Sequence, residues 1–482
     1  MDKKVRTYLI ALTMCILLSL QLTAQVAAPV GSSTPSLGTL LEQQNSDQNP
    51  LLGSRPAPAQ PGVLNLTLLD AIDRGLKYNL GIILSERTNE AAAASRLRAL
   101  SDLLPHFSAH VVESVQQINL RAFGLPVAPG TNPILGPFSV FDARAAVTQN
   151  VLDMHYLYNK RAADENVKGA KFSYQNTRDL VVLVVGGSYL QTLSDASRVE
   201  SAQAQVQTAQ ALYDQAVNMK SAGMVAGIDV LRAQVELQSQ QQRLLVVQNE
   251  YDKQVLSLAR VLGISMGQQF TLTDKMPNPQ PVPITFEDAL KRAYEMRSDY
   301  HQAQSSLRAS ELLRRSAEAQ RYPSLGVNGD YGTIGITPGN SHGTFTAAVG
   351  LQIPIYQGGK ITADVQQAEV QRKTREAELD DLRERIEFEV RSAFLDVNAA
   401  TKQLDVATSA LGVAREQVAQ SRDRFAAGVT NNVEVVQAQE QLAAAEENYI
   451  SSLFAHNIAK LSLARSLGVT EDATKRFLGG KP

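Results

Sequence analysis

The densest grouping of residues able to do acid–base chemistry is Glu378 with Asp380 and Asp381. They sit in a stretch with almost no helix breakers, so a solvated helical face accounts for them. The six histidines are scattered, with no HExxH pair of the kind that holds zinc. Cys15 is the only cysteine, which excludes disulfide staples and thiolate metal sites from the rest of the chain. No Gly-rich phosphate loop follows a strand, and no nucleophile, base and orienting group can be assembled. The expectation is therefore no catalytic residue, no metal and no cofactor. A net charge of -2 gives no electrostatic footprint for nucleic acid.

What the chain does have is an internal duplication. Leu66, Thr67, Asp70, Ala71 and Pro105 recur as Ile284, Thr285, Asp288, Ala289 and Pro323, each 218 positions on. Farther along, Ala222-Gly223 answers Ala427-Gly428, and Leu258-Ala259-Arg260 answers Leu463-Ala464-Arg465, at an offset of 205. A period of this size is too long for a solenoid unit and reads as two structural halves. The shrinking offset places about 13 extra residues in a loop of the first half.

The ends of the halves are marked by composition. Lys3, Lys4 and Arg6 precede an apolar run from Tyr8 to Leu20 and then Ala24, Ala27 and Ala28, the order of a secretory signal over residues 1–28. Leu12-Thr13-Met14-Cys15 is a poor lipoprotein box because Met14 is bulky, so lipidation at Cys15 is not expected. Residues 29–62 are rich in Pro, Ser, Gly and Gln and read as a flexible leader or an extended arm. The first repeat then runs over 63–267, a proline-punctuated linker over 268–283, the second repeat over 284–470 and a tail over 471–482.

Within each repeat the hydrophobic period changes. A short helix is predicted from Leu68 to about Leu103 and another from Phe286 to about Arg321, ended by Pro105 and Pro323. Period-two alternation follows over His106–Gln117, Phe141–Thr148, Leu325–Gly332 and Phe345–Ile353, giving four strands in two hairpins. Two hairpins separated by long helices leave open edges, which three chains together would close; periodicity alone also allows two small hairpins packed on helices in a soluble protein. Next come helices nearly free of breakers, over Asn159–Lys220 and Lys360–Ala427. Each reverses at a glycine, Gly223 or Gly428, suited to the left-handed position after a helix. The returning helices run to Val261 and Ser466.

This order resembles the outer-membrane efflux protein family, the TolC-like channels of tripartite efflux and type I secretion systems. The resemblance covers Leu66 to Val469 and rests on "LTLLDAIDRGLKYNL", "ITFEDALKRAYEMRSDY", "LQIPIYQGG", "RFAAGVTNNVEVVQAQEQL" and "LSLARSLGV". It implies a mainly α fold with transmembrane β: a homotrimer with a twelve-stranded β-barrel, four strands per chain, continuous with a long periplasmic α-helical barrel. Residues 106–151 and 325–353 would hold the barrel hairpins, with external loops over Asn119–Phe138 and Ile336–Thr344. The implied function is an outer-membrane exit duct. Its partners would be outer-membrane lipid, a periplasmic adaptor and an inner-membrane transporter.

The resemblance also points to residues. The family's two acidic aperture positions match Glu434 and Gln437, of which one is acidic, and Asp229 and Arg232 are their counterparts in the first repeat. Glu434 is equally a first-turn acid that a helix N-terminus favours. A link from Arg232 to Glu434 or Asp229 would hold a closed tip. Arg424, Phe425 and Gly428, with Gly223 at the other tip, resemble the adaptor-contacting motif. For Phe425 a packed turn aromatic is the plainer reading. The runner-up function is a secreted coiled-coil or adhesin-like structural protein, which leaves the hairpins and the duplication unexplained. A periplasmic adaptor would need one helical hairpin between β domains.

Overall fold

The structure, a computed structural model, describes residues 49–58, 61–124, 126, 128, 130–277, 284–427, 429, 430 and 432–471. The expected signal peptide 1–28, the first part of the leader, Gly428 and nearly all of the C-terminal tail lie outside the described residues. From Pro50 onward the chain forms one compact unit. The first repeat contains β1 (Leu64–Leu66), α1 (Leu68–Tyr78), α2 (Leu80–Ser101), β2 (His106–Asn119) and β3 (Ile134–Leu152). It continues through α3 (Met154–Ser221) and α4 (Gly227–Leu262) to β4 (Phe270–Leu272). The second contains α5 (Phe286–Met296), α6 (Ser298–Ala319), β5 (Ser324–Thr337), β6 (Asn340–Gln352), α7 (Lys360–Ala426) and α8 (Asn432–Ser466).

The predicted short helices are each broken in two. Asn79 and Arg297, 218 positions apart, take extended backbone (ψ 135° and 119°) and interrupt the helical run. Asn79 has the better local reason. Its side-chain oxygen accepts from the Gly81 amide at 2.8 Å and its amide donates to the Leu51 carbonyl at 2.7 Å. Thr67 starts α1 with a reciprocal capping box to Asp70, and Thr285 caps α5 through Asp288.

That Leu51 bond belongs to a further correction. Residues 50–58 fall in the expected flexible leader, yet they are docked. Arg55 donates to the Tyr78 carbonyl and Ala57 to the Gly263 carbonyl, each at 2.9 Å, and the Ala57 side chain is buried. The linker holds structure too, because β4 pairs in parallel with β1, Leu64 opposite Phe270 and Leu66 opposite Leu272. Three-residue strands with no long alternation give too little period for sequence reading to find.

The four longer strands form one antiparallel sheet in the order β2-β3-β5-β6. Its hairpins are longer than the alternation indicates and its connections shorter. β5 and β6 remain paired up to Thr337 opposite Asn340, so the second connection is Pro338-Gly339 alone. The first is residues 120–133, opening with a 3-10 turn at Leu120–Phe123. The extra residues of copy one thus lie here, while polar and glycine-rich strand ends in "TPGNSHG" hide the pairing in copy two.

The strands pass into the helices by two different junctions. A single residue, Asp153, separates β3 from α3, and its carboxylate accepts from the His155 amide at 2.9 Å. Residues 353–359 separate β6 from α7, and Gly358 and Gly359 both have positive φ.

At 68 and 67 residues, α3 and α7 are each about 100 Å long. Among the described residues only α3 is apolar enough to cross a membrane by length and composition. Its apolar stretch is instead packed, with Val181, Val182, Val185, Tyr189 and Leu190 buried among α1, α4 and α8. A second core joins α5, α6, α7 and α8 through Ala289, Tyr300, Ile386, Val390 and Leu463. Away from these cores the long helices expose apolar side chains such as Leu245, Phe388, Leu395 and Val413.

Candidate functional site

The sheet has two chemically different faces, and its register says which residue lies on which. Phe107 pairs with Val147, Val147 with Gly329 and Gly329 with Ala347, so these share one face. That face also carries Val111, Val115, Phe141, Val327, Tyr331, Phe345, Val349 and Leu351. Its large side chains are bare: Phe107 is 80% exposed, Phe345 78% and Tyr331 70%. Glu113 is the one charged residue there, and it accepts from the Ser139 hydroxyl at 3.1 Å. The opposite face carries Ser108, His110, Ser114, Thr148, Asn328 and Thr346. An apolar outside and a polar inside is the pattern of a strand wall between lipid and water.

On the polar face Arg144 lies between two carboxylates. Its Nε donates to Asp142 at 2.7 Å and a terminal nitrogen donates to Asp330 at 2.9 Å. Sequence reading placed these three on the polar phase of the alternation without singling them out. The available signal was that they are the only Asp, Glu, Lys or Arg on that phase in the four strands.

The helical tips lie at the far end of α3 and α7. At the first, Met224 donates back to the Met219 carbonyl at 2.9 Å, and Gly223 (φ 73°) supplies the left-handed residue that this bond requires. The second repeats the bond, Val429 to Arg424 at 2.9 Å. Asp229 lies in the first turn of α4 and pairs with Arg232 at 3.4 Å. Glu434 lies in the first turn of α8, where it accepts from the Thr430 hydroxyl and pairs with Arg424 at 3.7 Å. Gln437 is exposed one turn on. The described ion pairs thus join Arg232 to Asp229, and Glu434 to Arg424.

Phe425 is placed differently from an adaptor-facing aromatic. It is only 3% exposed, packed against Leu212 and Val435 with Met219 alongside. Burial of that ring fastens the tip of α7 onto α3 and α8, so its role in the single chain is packing. Tip one instead exposes Met224, Ile228, Leu231 and Val235.

Between wall and tips, a charged hub ties the second repeat to α3. Arg297 is 2% exposed and pairs with Asp299 at 2.6 Å and Glu389 at 2.5 Å. Burial alone would raise the Asp299 carboxyl, but hydrogen bonds and charge from Arg297 outweigh it and hold it below the usual carboxylate range. Arg465 donates to Asn176 at 2.7 Å and lies 3.8 Å from Asp299, and Arg178 pairs with Glu471 at 2.9 Å. Asp179 faces this group, and burial pushes its carboxyl up to about 6 against the opposing charge of Arg465. Gly468 (φ 69°) ends α8 so close to Arg297 that a Cβ would stand 2.8 Å from the Arg297 amide.

Comparison with known proteins agrees with this architecture. The profile of a family described as outer membrane efflux protein matches residues 139–264 and 289–469. Outer membrane protein TolC of Escherichia coli (strain K12) is 24% identical over 356 residues, covering 68% of this chain and 70% of that protein. Pyoverdine export outer membrane protein OpmQ of Pseudomonas putida is 23% identical over 303 residues, covering 59% and 61%. The crystal structure of the Campylobacter jejuni CmeC outer membrane channel superposes with a TM-score of 0.74 at 16% identity, over 94% of this chain and 97% of that one.

Proposed function

The chain belongs to the outer membrane efflux protein family, and from that premise we propose that three copies close their strand walls into one barrel through which solute leaves the periplasm. The protein is an outer-membrane efflux duct with a large periplasmic part, a conduit rather than an enzyme. One observation carries the trimer: the sheet pairs one bare apolar face with unpaired edges at β2 and β6. In hydrocarbon each unsatisfied backbone group costs several kcal/mol, so an open edge is not tolerated there. Pairing β6 of one copy with β2 of the next removes every edge, and three four-stranded walls make a twelve-stranded barrel. The two repeats, 63–267 and 284–470, then each give one hairpin to the barrel and one helical pair to a periplasmic tunnel.

On this reading a periplasmic adaptor and an inner-membrane transporter engage the tips. Gly223 and Arg424, both exposed, are the proposed contact points, with Gly428 four residues after Arg424 in sequence and Phe425 bracing that turn from within. Glu434, Gln437, Asp229 and Arg232 would ring the aperture. The i,i+3 pair Asp229–Arg232 supports one neutralised acid per chain, leaving Glu434 and its Arg424 partner as the adjustable pair.

The test is planar-bilayer conductance of the detergent-purified protein, with its oligomeric state measured on the same sample. A stable trimer giving discrete openings, whose cation bias falls on Glu434→Ala, is expected. A monodisperse monomer that neither inserts nor conducts would overturn the reading.

A further inference from the structure

All of the fixed charge on the polar face of the barrel sheet sits in one place. Of the charged residues in the four long strands, Glu113 lies on the apolar face, and Asp142, Arg144 and Asp330 make up the remainder. We propose that this Asp142–Arg144–Asp330 belt sets the charge preference of the barrel, favouring cationic over anionic solute at a point far from the periplasmic aperture. The inference rests on the polar face lining the duct.

The geometry explains how a guanidinium can be present without attracting anions. Arg144 stands directly opposite Gly332 across the β3–β5 ladder. A Cβ on Gly332 would lie 2.3 Å from the Arg144 Cβ, so the missing side chain leaves the room that Arg144 occupies. From there Arg144 reaches Asp142, two residues back on its own strand, and Asp330, diagonal to it on β5. Two of its donors bond to two carboxylates that offset its charge, and the arginine side chain is only 21% exposed. Two acids against one base leave one net negative charge per chain, repeated around the barrel. Every other position on that face is neutral or histidine, including His110 opposite Arg144 and His342 opposite Ile334. A wall of one sign with little else to offset it biases the local concentration of charged solute.

The local potential is read by thiol labelling beside the belt, which does not depend on the aperture. Thr346 pairs with Asp330 across β5 and β6 and shares the polar face, whereas Ala347 is on the apolar face. Thr346→Cys is introduced in a chain with Cys15→Ser, Cys15 being the only native cysteine. Labelling rates with a trimethylammonium and a sulfonate methanethiosulfonate are compared in membranes at pH 8, above the usual histidine range. One unit charge about 7 Å away in salt water changes the cation-to-anion rate ratio about twofold. The ratio is expected to rise by at least that factor on Arg144→Gln and to fall by it on Asp330→Asn. These opposite movements are what a merely structural role would not produce. Ratios that stay fixed, or move together, overturn the belt while leaving the duct intact. A thiol at 346 that neither reagent reaches, with one at 347 labelled instead, overturns the assignment of faces and the duct reading with it.

Discussion

Asp179 shows how a single carboxylate can make the helical hub respond to pH. It faces Arg465 at the end of α8, Glu471 beyond that end and Asp299 from α6, with Arg178 paired to Glu471 and with Arg297 and Glu389 behind Asp299. Four acids meet three arginines here, and burial raises Asp179 to about 6 from an ordinary value near 4. Between those two values the folded state holds more protons than the unfolded one. Stability therefore falls as pH rises through that window and levels off above it. Asp179→Asn removes the cost of the charge. Its unfolding midpoint should match the wild type near pH 4 and exceed it increasingly up to pH 7, followed by urea titration of the detergent-solubilised protein. A variant whose deficit grows with pH would show that Asp179 is held as a needed anion. Nothing in the alternation or spacing of the sequence marks this residue, because its neighbours come from three other helices. Glu434 and Asp229 were legible for the converse reason: each sits in the first turn of a helix whose start the sequence announces.

At the scale of elements, the breaks at Asn79 and Arg297 are where the two repeats solve one problem differently. Each turns the chain between a short and a longer helix, and each sits against the end of a returning helix. Gly263 lies against Tyr78 and Arg55, and Gly468 against Arg297. In the first repeat the docked segment 50–57 fills the space and Asn79 fastens it. In the second, Arg297 fills it with its own buried guanidinium. Asn79→Ala deletes both the cap on Gly81 and the bond to Leu51, and should cost about 1–2 kcal/mol. Hydrogen exchange should accelerate first at the Arg55 and Ala57 amides, and protection unchanged there would sink the assignment. The long helices, their glycine reversals and the two hairpins were readable because each persists over many residues of one period. The breaks were not, since a tyrosine-asparagine or methionine-arginine pair does not interrupt the apolar stripe. The strand ends were missed because glycine, proline and serine erase the alternation where pairing still continues.

The whole molecule has an orientation that its connections fix. The strands His106–Asn119 and Ser324–Thr337 both start from helices, so residues 120–133 and Pro338-Gly339 share the end of the sheet opposite the helices. In an outer-membrane duct with a large periplasmic part, that end is expected to face the exterior. Trypsin added to intact cells should cut at Arg121, in the exposed 3-10 turn, and leave the exposed Arg98 and Arg161 of the helical portion untouched until the outer membrane is permeabilised. Cleavage at the helical sites in intact cells would reverse the orientation. The duplication made this architecture readable from sequence at the level of halves, but the described strands of a single chain hold no partner for the outer edges of β2 and β6, so closure had to be proposed.

The two strand-to-helix junctions give this duct unequal couplings. α3 leaves β3 through one capped residue, a joint that transmits bending and torque from helix to strand. α7 leaves β6 through residues 353–359 with two left-handed glycines, a joint that takes up rotation before passing it on. A pull applied at the tips is therefore borne stiffly by the first helical pair and slackly by the second. In mechanical terms the first repeat is the strut and the second the swivel, so work done on the tips turns α7 and α8 before it loads the sheet.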